Sequence, residues 1–198
     1  MGKRRLAIGC LVITLLLPNG AAAQMYRWVD ERGSVHYSEG IDSVPERYRS
    51  GAVALPYQKL PSAPETKAPE ESPGVTRIPF TPGTPILVQA KINGAGPLTL
   101  LLDTGADRTV VAPLPLWRLG ISTRNAPRGE ITGVTGATAA EMVRVNSVEV
   151  GAARVGPLTI VAHDTDFKNA DGLLGRDFLD QFTVTIDGRA GIVTLAPK

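Results

Sequence analysis

Apolar and polar positions alternate with a period of two along much of the chain, the pattern of strands that turn one face to a core and the other to water. From residue 86 onward, apolar-rich runs at Ile86–Ile92, Leu98–Leu102, Thr109–Ala112, Ile131–Val134, Met142–Val150, Val155–Ala162, Thr183–Asp187 and Ile192–Leu195 are separated by Gly, Pro and Asn, including a turn at Asn93-Gly94. Short strands between such residues predict a barrel or sandwich, not a parallel α/β sheet. One short C-terminal helix is predicted. Leu174, Phe178 and Phe182 recur every four residues with Leu179 beside them, which puts the apolar side chains after Gly175 on one face. Near the start, Tyr26, Trp28, Val35 and Tyr37 alternate with polar neighbours on either side of Asp30-Glu31-Arg32-Gly33, predicting a small aromatic-faced β-hairpin.

Composition divides the chain. Lys3, Arg4 and Arg5 precede the apolar run Leu6–Leu17 and the small residues Ala21-Ala22-Ala23, so residues 1–23 read as a cleaved export signal. The alternative is a retained anchor, but twelve apolar-biased residues are short for a bilayer span of about 20. A periplasmic or secreted protein is therefore expected. Cys10 is the only cysteine and lies in the leader, leaving no disulfide and no thiol nucleophile afterwards. Loss of the three leader cations turns the formal charge from +2 to −1, which gives no electrostatic case for nucleic acid. Eight of the 16 prolines fall between Pro56 and Pro85, among Glu65, Lys67, Glu70, Glu71 and Ser72, so residues 56–85 read as a semi-extended linker between two modules, 24–55 and 86–198.

The chemistry concentrates after the linker. Leu100-Leu101-Leu102 delivers Asp103-Thr104-Gly105-Ala106 from an apolar strand into a glycine turn, and a carboxylate among such flanks is costly unless it is hydrogen-bonded or paired. Downstream, Asp171-Gly172-Leu173-Leu174-Gly175-Arg176-Asp177 places an apolar pair before a glycine and the predicted helix. Between them, Gly129-Glu130-Ile131-Thr132-Gly133-Val134-Thr135-Gly136 has glycines on both sides of a short apolar turn, as a mobile flap would, although an ordinary surface hairpin has the same pattern.

Taken together, these elements resemble the retroviral-type, or retropepsin-like, aspartic protease family over residues 86–198. The resemblance implies an all-β fold, a single-lobed closed β-barrel with one short C-terminal helix, acting on protein or peptide substrates as a homodimer and without a cofactor. Within it, Asp103 matches the catalytic Asp, Thr104 the residue bonding across the dimer axis, and Gly105 the glycine admitting the backbone to the carboxylates. Ala106 stands where some relatives carry a hydroxyl. Leu173, Leu174 and Gly175 match the apolar loop behind the site, Arg176 the helix-start arginine, and Asp107 the acid that pairs with it. Ile131, Thr132, Gly133, Val134, Thr135 and Gly136 match the flap, while Asp177 replaces a commonly neutral residue. The hairpin segment, Met25 to Ser38 and on to Val44-Pro45, resembles the DUF4124 module, which has no assigned chemistry. Trp28 and Tyr37 there could hold a cell-envelope partner or form the hairpin's minimal core.

Other constellations are weaker. His163, Asp164 and Asp166 lack a second His or any Cys and read as a solvated loop, not a metal site, and His36 reads as a surface side chain. No Gly-x-Ser-x-Gly elbow is present. The expectation is an exported aspartic endopeptidase whose dyad forms across a homodimer, and its rival is an envelope protein that keeps the fold to hold peptides uncut.

Overall fold

The computed structural model describes residues 24–58, 74–133, 136–164, 167 and 169–198. Residues 1–23, read above as an export signal, the middle of the proline-rich stretch 59–73, Val134 and Thr135 of the expected flap, and Asp166 lie outside the described residues. In chain order the strands are β1 (Met25–Val29), β2 (Val35–Glu39), β3 (Val53–Ala54), β4 (Thr76–Pro79), β5 (Leu87–Ile92), β6 (Ala95–Leu102) and β7 (Val110–Val111). Helix α1 (Pro113–Arg118) follows, then β8 (Arg128–Gly133), β9 (Gly136–Val145), β10 (Val148–Val150), β11 (Ala153–Val155), β12 (Leu158–Ala162) and β13 (Gly172–Leu174). Helix α2 (Arg176–Leu179) and the pair β14 (Phe182–Asp187) and β15 (Ile192–Pro197) complete the chain.

Three sheets result. The N-terminal module is a sheet of order β2-β1-β3, closed by short 3-10 turns at Ile41–Ser43 and Glu46–Gly51, with Met25 and Val44 fully buried beneath. Nine strands form the main sheet in the order β11-β10-β5-β6-β13-β7-β12-β9-β8, and β14-β15-β4 makes the third. The expected barrel does not close among the described residues: the nine-stranded ladder ends at β11 on one side and β8 on the other. Strict alternation on β5 and β6 sends Val88, Ala90, Ile92, Leu98, Leu100 and Leu102 into the core with Val111, Leu116, Ile160, Leu174 and Phe178. At about 1.5–3 kcal/mol for each fully buried large apolar side chain, that cluster is the main source of the domain's stability.

Several boundaries differ from the pattern read along the sequence. Thr76–Pro79 falls within the predicted linker, yet it forms β4 against β15 because Thr76 and Ile78 point inward from an alternating strand. The run Met142–Val150 is two strands, since Asn93 Oδ1 accepts the backbone N–H groups of Asn146 and Ser147 and breaks the ladder there. Val155–Ala162 likewise divides at Gly156-Pro157. A second helix, α1, was not predicted; prolines at Pro113 and Pro115 look like breakers, but in the first turn a missing N–H costs nothing.

Candidate active site

Asp103 leaves the end of β6 with its backbone still in register, its N–H donating to Leu174 O at 3.0 Å. Leu173-Leu174 is not the loop expected from the sequence. It is strand β13, wedged parallel to β6 and antiparallel to β7, with Leu174 opposite Leu102. Asp171 fixes the start of that wedge: its carboxylate accepts from Thr99 N–H at 2.8 Å, its N–H donates to Thr99 O, and its carbonyl accepts from Ala112 N–H. Two further backbone bonds, Arg176 N–H to Ala106 O at 2.8 Å and Asp177 N–H to Asp107 O at 3.2 Å, staple the turn Asp103–Asp107 to the start of α2. Gly175 is required where these segments cross, because a Cβ there would lie inside the Arg108–Thr109 backbone.

The half-buried Asp103 carboxylate accepts one hydrogen bond among the described residues, from Gly105 N–H at 2.8 Å. A Cβ on Gly105 would sit 3.2 Å from Asp103 Oδ1, so glycine keeps this oxygen uncrowded. Thr104 and Gly105 are exposed. Arg176 and Asp107 do pair, Nη1 to Oδ1 at 3.2 Å, but at the surface, with side chains 50% and 85% exposed; Arg176 also reaches Asp180 at 3.4 Å.

The part-buried polar support of the turn comes from Asp177, where the resemblance expects a neutral residue. Asp177 accepts from Thr109 N–H with both oxygens, at 3.0 and 2.9 Å, from the Thr109 hydroxyl at 2.7 Å, and from Phe178 N–H at 2.9 Å. Thr109 is fully buried and its hydroxyl in turn accepts from Gly175 N–H at 3.1 Å. The chain signal was Thr109 between Arg108 and an apolar strand, a polar residue entering a core position. On the face of β6 that carries Leu101, two residues before Asp103, an apolar cavity of about 370 Å³ is lined by Pro85, Leu87, Leu101, Phe167 and Ala170.

Residues 88–178 match the aspartyl protease family. Residues 12–73 match the domain of unknown function DUF4124, so both resemblances read from the sequence stand. Among solved structures, the domain is similar to a retropepsin-like aspartic protease from Rickettsia conorii at 20% identity and a TM-score of 0.50, covering 62% of this chain and 90% of that one; the likeness is one of fold. No curated protein matches the chain.

The aspartyl protease-like domain's other predicted feature, the flap, is the hairpin β8–β9, paired from Arg128↔Glu141 out to Gly133↔Gly136, with Gly136 at φ +111°. Ile131 is half-buried and Thr132 exposed. Two expectations are corrected. Asp164 does not lie in a merely solvated loop: it accepts from Tyr37 N–H at 3.5 Å and pairs with His36 Nδ1 at 3.5 Å. His36 is not a plain surface residue: it is paired with Asp30 at 3.1 Å and stacked on Trp28 at 4.3 Å between ring centres. The His36 bond holds the Asp30 carboxyl below its ordinary range, whereas burial pushes that of Asp164 up. Trp28 also stacks on Tyr48 and donates to Ser38 Oγ at 3.0 Å, so its ring belongs to the hairpin's own core. Among the described residues no cluster of three His, Cys, Asp or Glu is arranged to hold a metal ion.

Proposed function

We propose that the chain is an exported aspartic endopeptidase whose catalytic dyad is two copies of Asp103 brought together in a homodimer. The observation that carries this reading is the Asp103 carboxylate itself: a strand end, a wedge strand and the part-buried Asp177–Thr109 network fix its backbone, while the carboxylate stays half-exposed with one bond among the described residues, from Gly105 N–H. The sequence holds one Asp-Thr-Gly, so one chain supplies half a dyad, and two-fold symmetry supplies the rest.

Two carboxylates a few ångströms apart share one proton. The ionised member takes a proton from a bound water as the water oxygen bonds to the scissile carbonyl carbon, and the protonated member passes its proton to the carbonyl oxygen. Collapse of the tetrahedral species breaks the C–N bond, with a proton delivered to the departing amine. The apolar cavity beside Leu101 suits an apolar substrate side chain, and the β8–β9 hairpin suits the role of a cover that excludes water.

The test is cleavage of an unstructured protein by the full chain, compared with Asp103→Asn across a dilution series. Loss of at least about a thousandfold in the variant, with specific activity of the parent rising with concentration, is the expected result. Constant specific activity in samples that sediment as monomers overturns the dimer. Equal inactivity of parent and variant, with peptide still bound, favours the non-catalytic binding reading.

A further inference from the structure

We propose that the N-terminal module is a brace acting in cis on the β8–β9 hairpin, with Glu39 as its positioning residue. The inference rests on the reading of this hairpin as the cover of a peptidase site, and it gives the module a role in that site. Strand pairing shows why a brace matters. Strand β12 supports β9 only from Glu141 to Val145, and the outermost supported row runs Arg128–Glu141–Ala162 across β8, β9 and β12. Beyond that row, residues 129–133 and 136–140 form a two-stranded ribbon that no third strand supports among the described residues. An isolated ribbon of two strands is marginal, so its direction is set by whatever holds its root.

The module grips both sides of that root. Four residues before Arg128, Glu39 takes the turn 122–124: its carboxylate accepts from the Ser122 hydroxyl at 2.9 and 2.8 Å, from Thr123 N–H at 2.9 Å and from Arg124 N–H at 3.2 Å. Glu39 is only 5% exposed, and Asp42 adds an ion pair to Arg124 at 2.7 Å. Two residues after Ala162, Asp164 meets Tyr37 and His36 of β2. Between the two grips a cleft of about 890 Å³ separates the module, at Trp28 and His36, from Arg128, Ala139 and Glu141 of the hairpin. That cleft is the space into which the root tilts when the grip is released.

Glu39→Gln in the full chain is the test, because the amide keeps the shape and one accepting oxygen but loses the charge that strengthens the bonds from Ser122, Thr123 and Arg124. Backbone hydrogen exchange of residues 122–133 and 136–141 should quicken by about tenfold or more, with β5, β6 and β10 unchanged. With a peptide substrate, KM should rise several-fold while kcat stays within about twofold, since binding under the hairpin is weakened and the Asp103 chemistry is not. Ser122→Ala, which removes one donor and leaves the two N–H bonds, should shift both readouts less and in the same direction, and it decides the matter if Glu39→Gln does not fold. Unchanged exchange in the hairpin, or equal acceleration across the whole domain, overturns the brace. If hairpin exchange responds but no peptide is cut by any form, the brace stands and the peptidase reading falls.

Discussion

Two carboxylates, Glu39 and Asp103, are treated in opposite ways by the fold. Glu39, at the seam between the modules, is nearly buried and accepts from Ser122, Thr123 and Arg124 within its own chain. Asp103, at the end of β6, is half-buried and among the described residues accepts from Gly105 alone. Both are held by neighbours that lie far away in sequence, but only Glu39 is finished by them. A satisfied acid stabilises the place where it sits. A half-exposed acid on a rigid support is open to solvent, and under the proposed function it is the half of a dyad that a second copy completes.

The comparison breaks first on stability. Glu39→Ala should lower the unfolding free energy of the full chain by about 3 kcal/mol, because it removes a nearly buried charged acceptor from two part-buried N–H groups and a hydroxyl. Asp103→Ala should cost less than about 0.5 kcal/mol in chemical denaturation, since one local bond is lost. Similar losses at the two positions would show that satisfaction of the carboxylate does not separate the roles. Asp177→Ala should come next, at about 2 kcal/mol, with Asp177→Asn recovering most of it because an amide oxygen still accepts from Thr109. If Asn is as harmful as Ala, the charge at Asp177 matters and not only its shape.

Smaller effects sharpen the contrast between seam and surface. Asp107→Leu should cost no more than about 1 kcal/mol, less in high salt, since its pair with Arg176 is exposed. A loss of several kcal/mol would mean that the pair is buried in the assembled protein. Asp164→Asn should be the mildest. Burial raises the folded-state carboxyl above the ordinary 3.8, so the ionised form is the one disfavoured on folding, and near neutral pH the amide should be equal to or slightly more stable than the acid. That difference should disappear as the pH falls below 3.8, where the acid is protonated in both states. A melting-temperature series with pH checks the sign.

How much of this was legible in the sequence follows from the range of each interaction. Alternation on Leu87–Ile92 and Leu98–Leu102 announces strands because each side chain reports its own burial, and the glycine turn after Leu102 announces Asp103 for the same reason. Strand β4 was hidden because four alternating residues were averaged into a proline-rich window. The Asp177–Thr109 network joins residues 68 apart, and the Glu39–Ser122 bond joins residues 83 apart. Each partner alone is an ordinary polar residue, and only the fold brings them together. Arg176–Asp107 was readable from the resemblance, but its exposure was not, because burial depends on what packs outside α2.

The proline-rich stretch takes on a different meaning once its two ends are located. Tyr57, just before residues 59–73, lies edge-on against Trp117 of α1 at 4.9 Å between ring centres. Just after them, the buried Thr76 hydroxyl donates to Val150 O and accepts from the N–H groups of Ala152 and Ala153. Both ends are thus fastened to one body, so residues 59–73 join two fixed points. Closing such a loop costs little more as it lengthens, so insertions between residues 59 and 73 are thermodynamically cheap. A single nick there would leave two polypeptides still joined through the Glu39 seam, and the break would register on a denaturing gel before it registered in the folded protein.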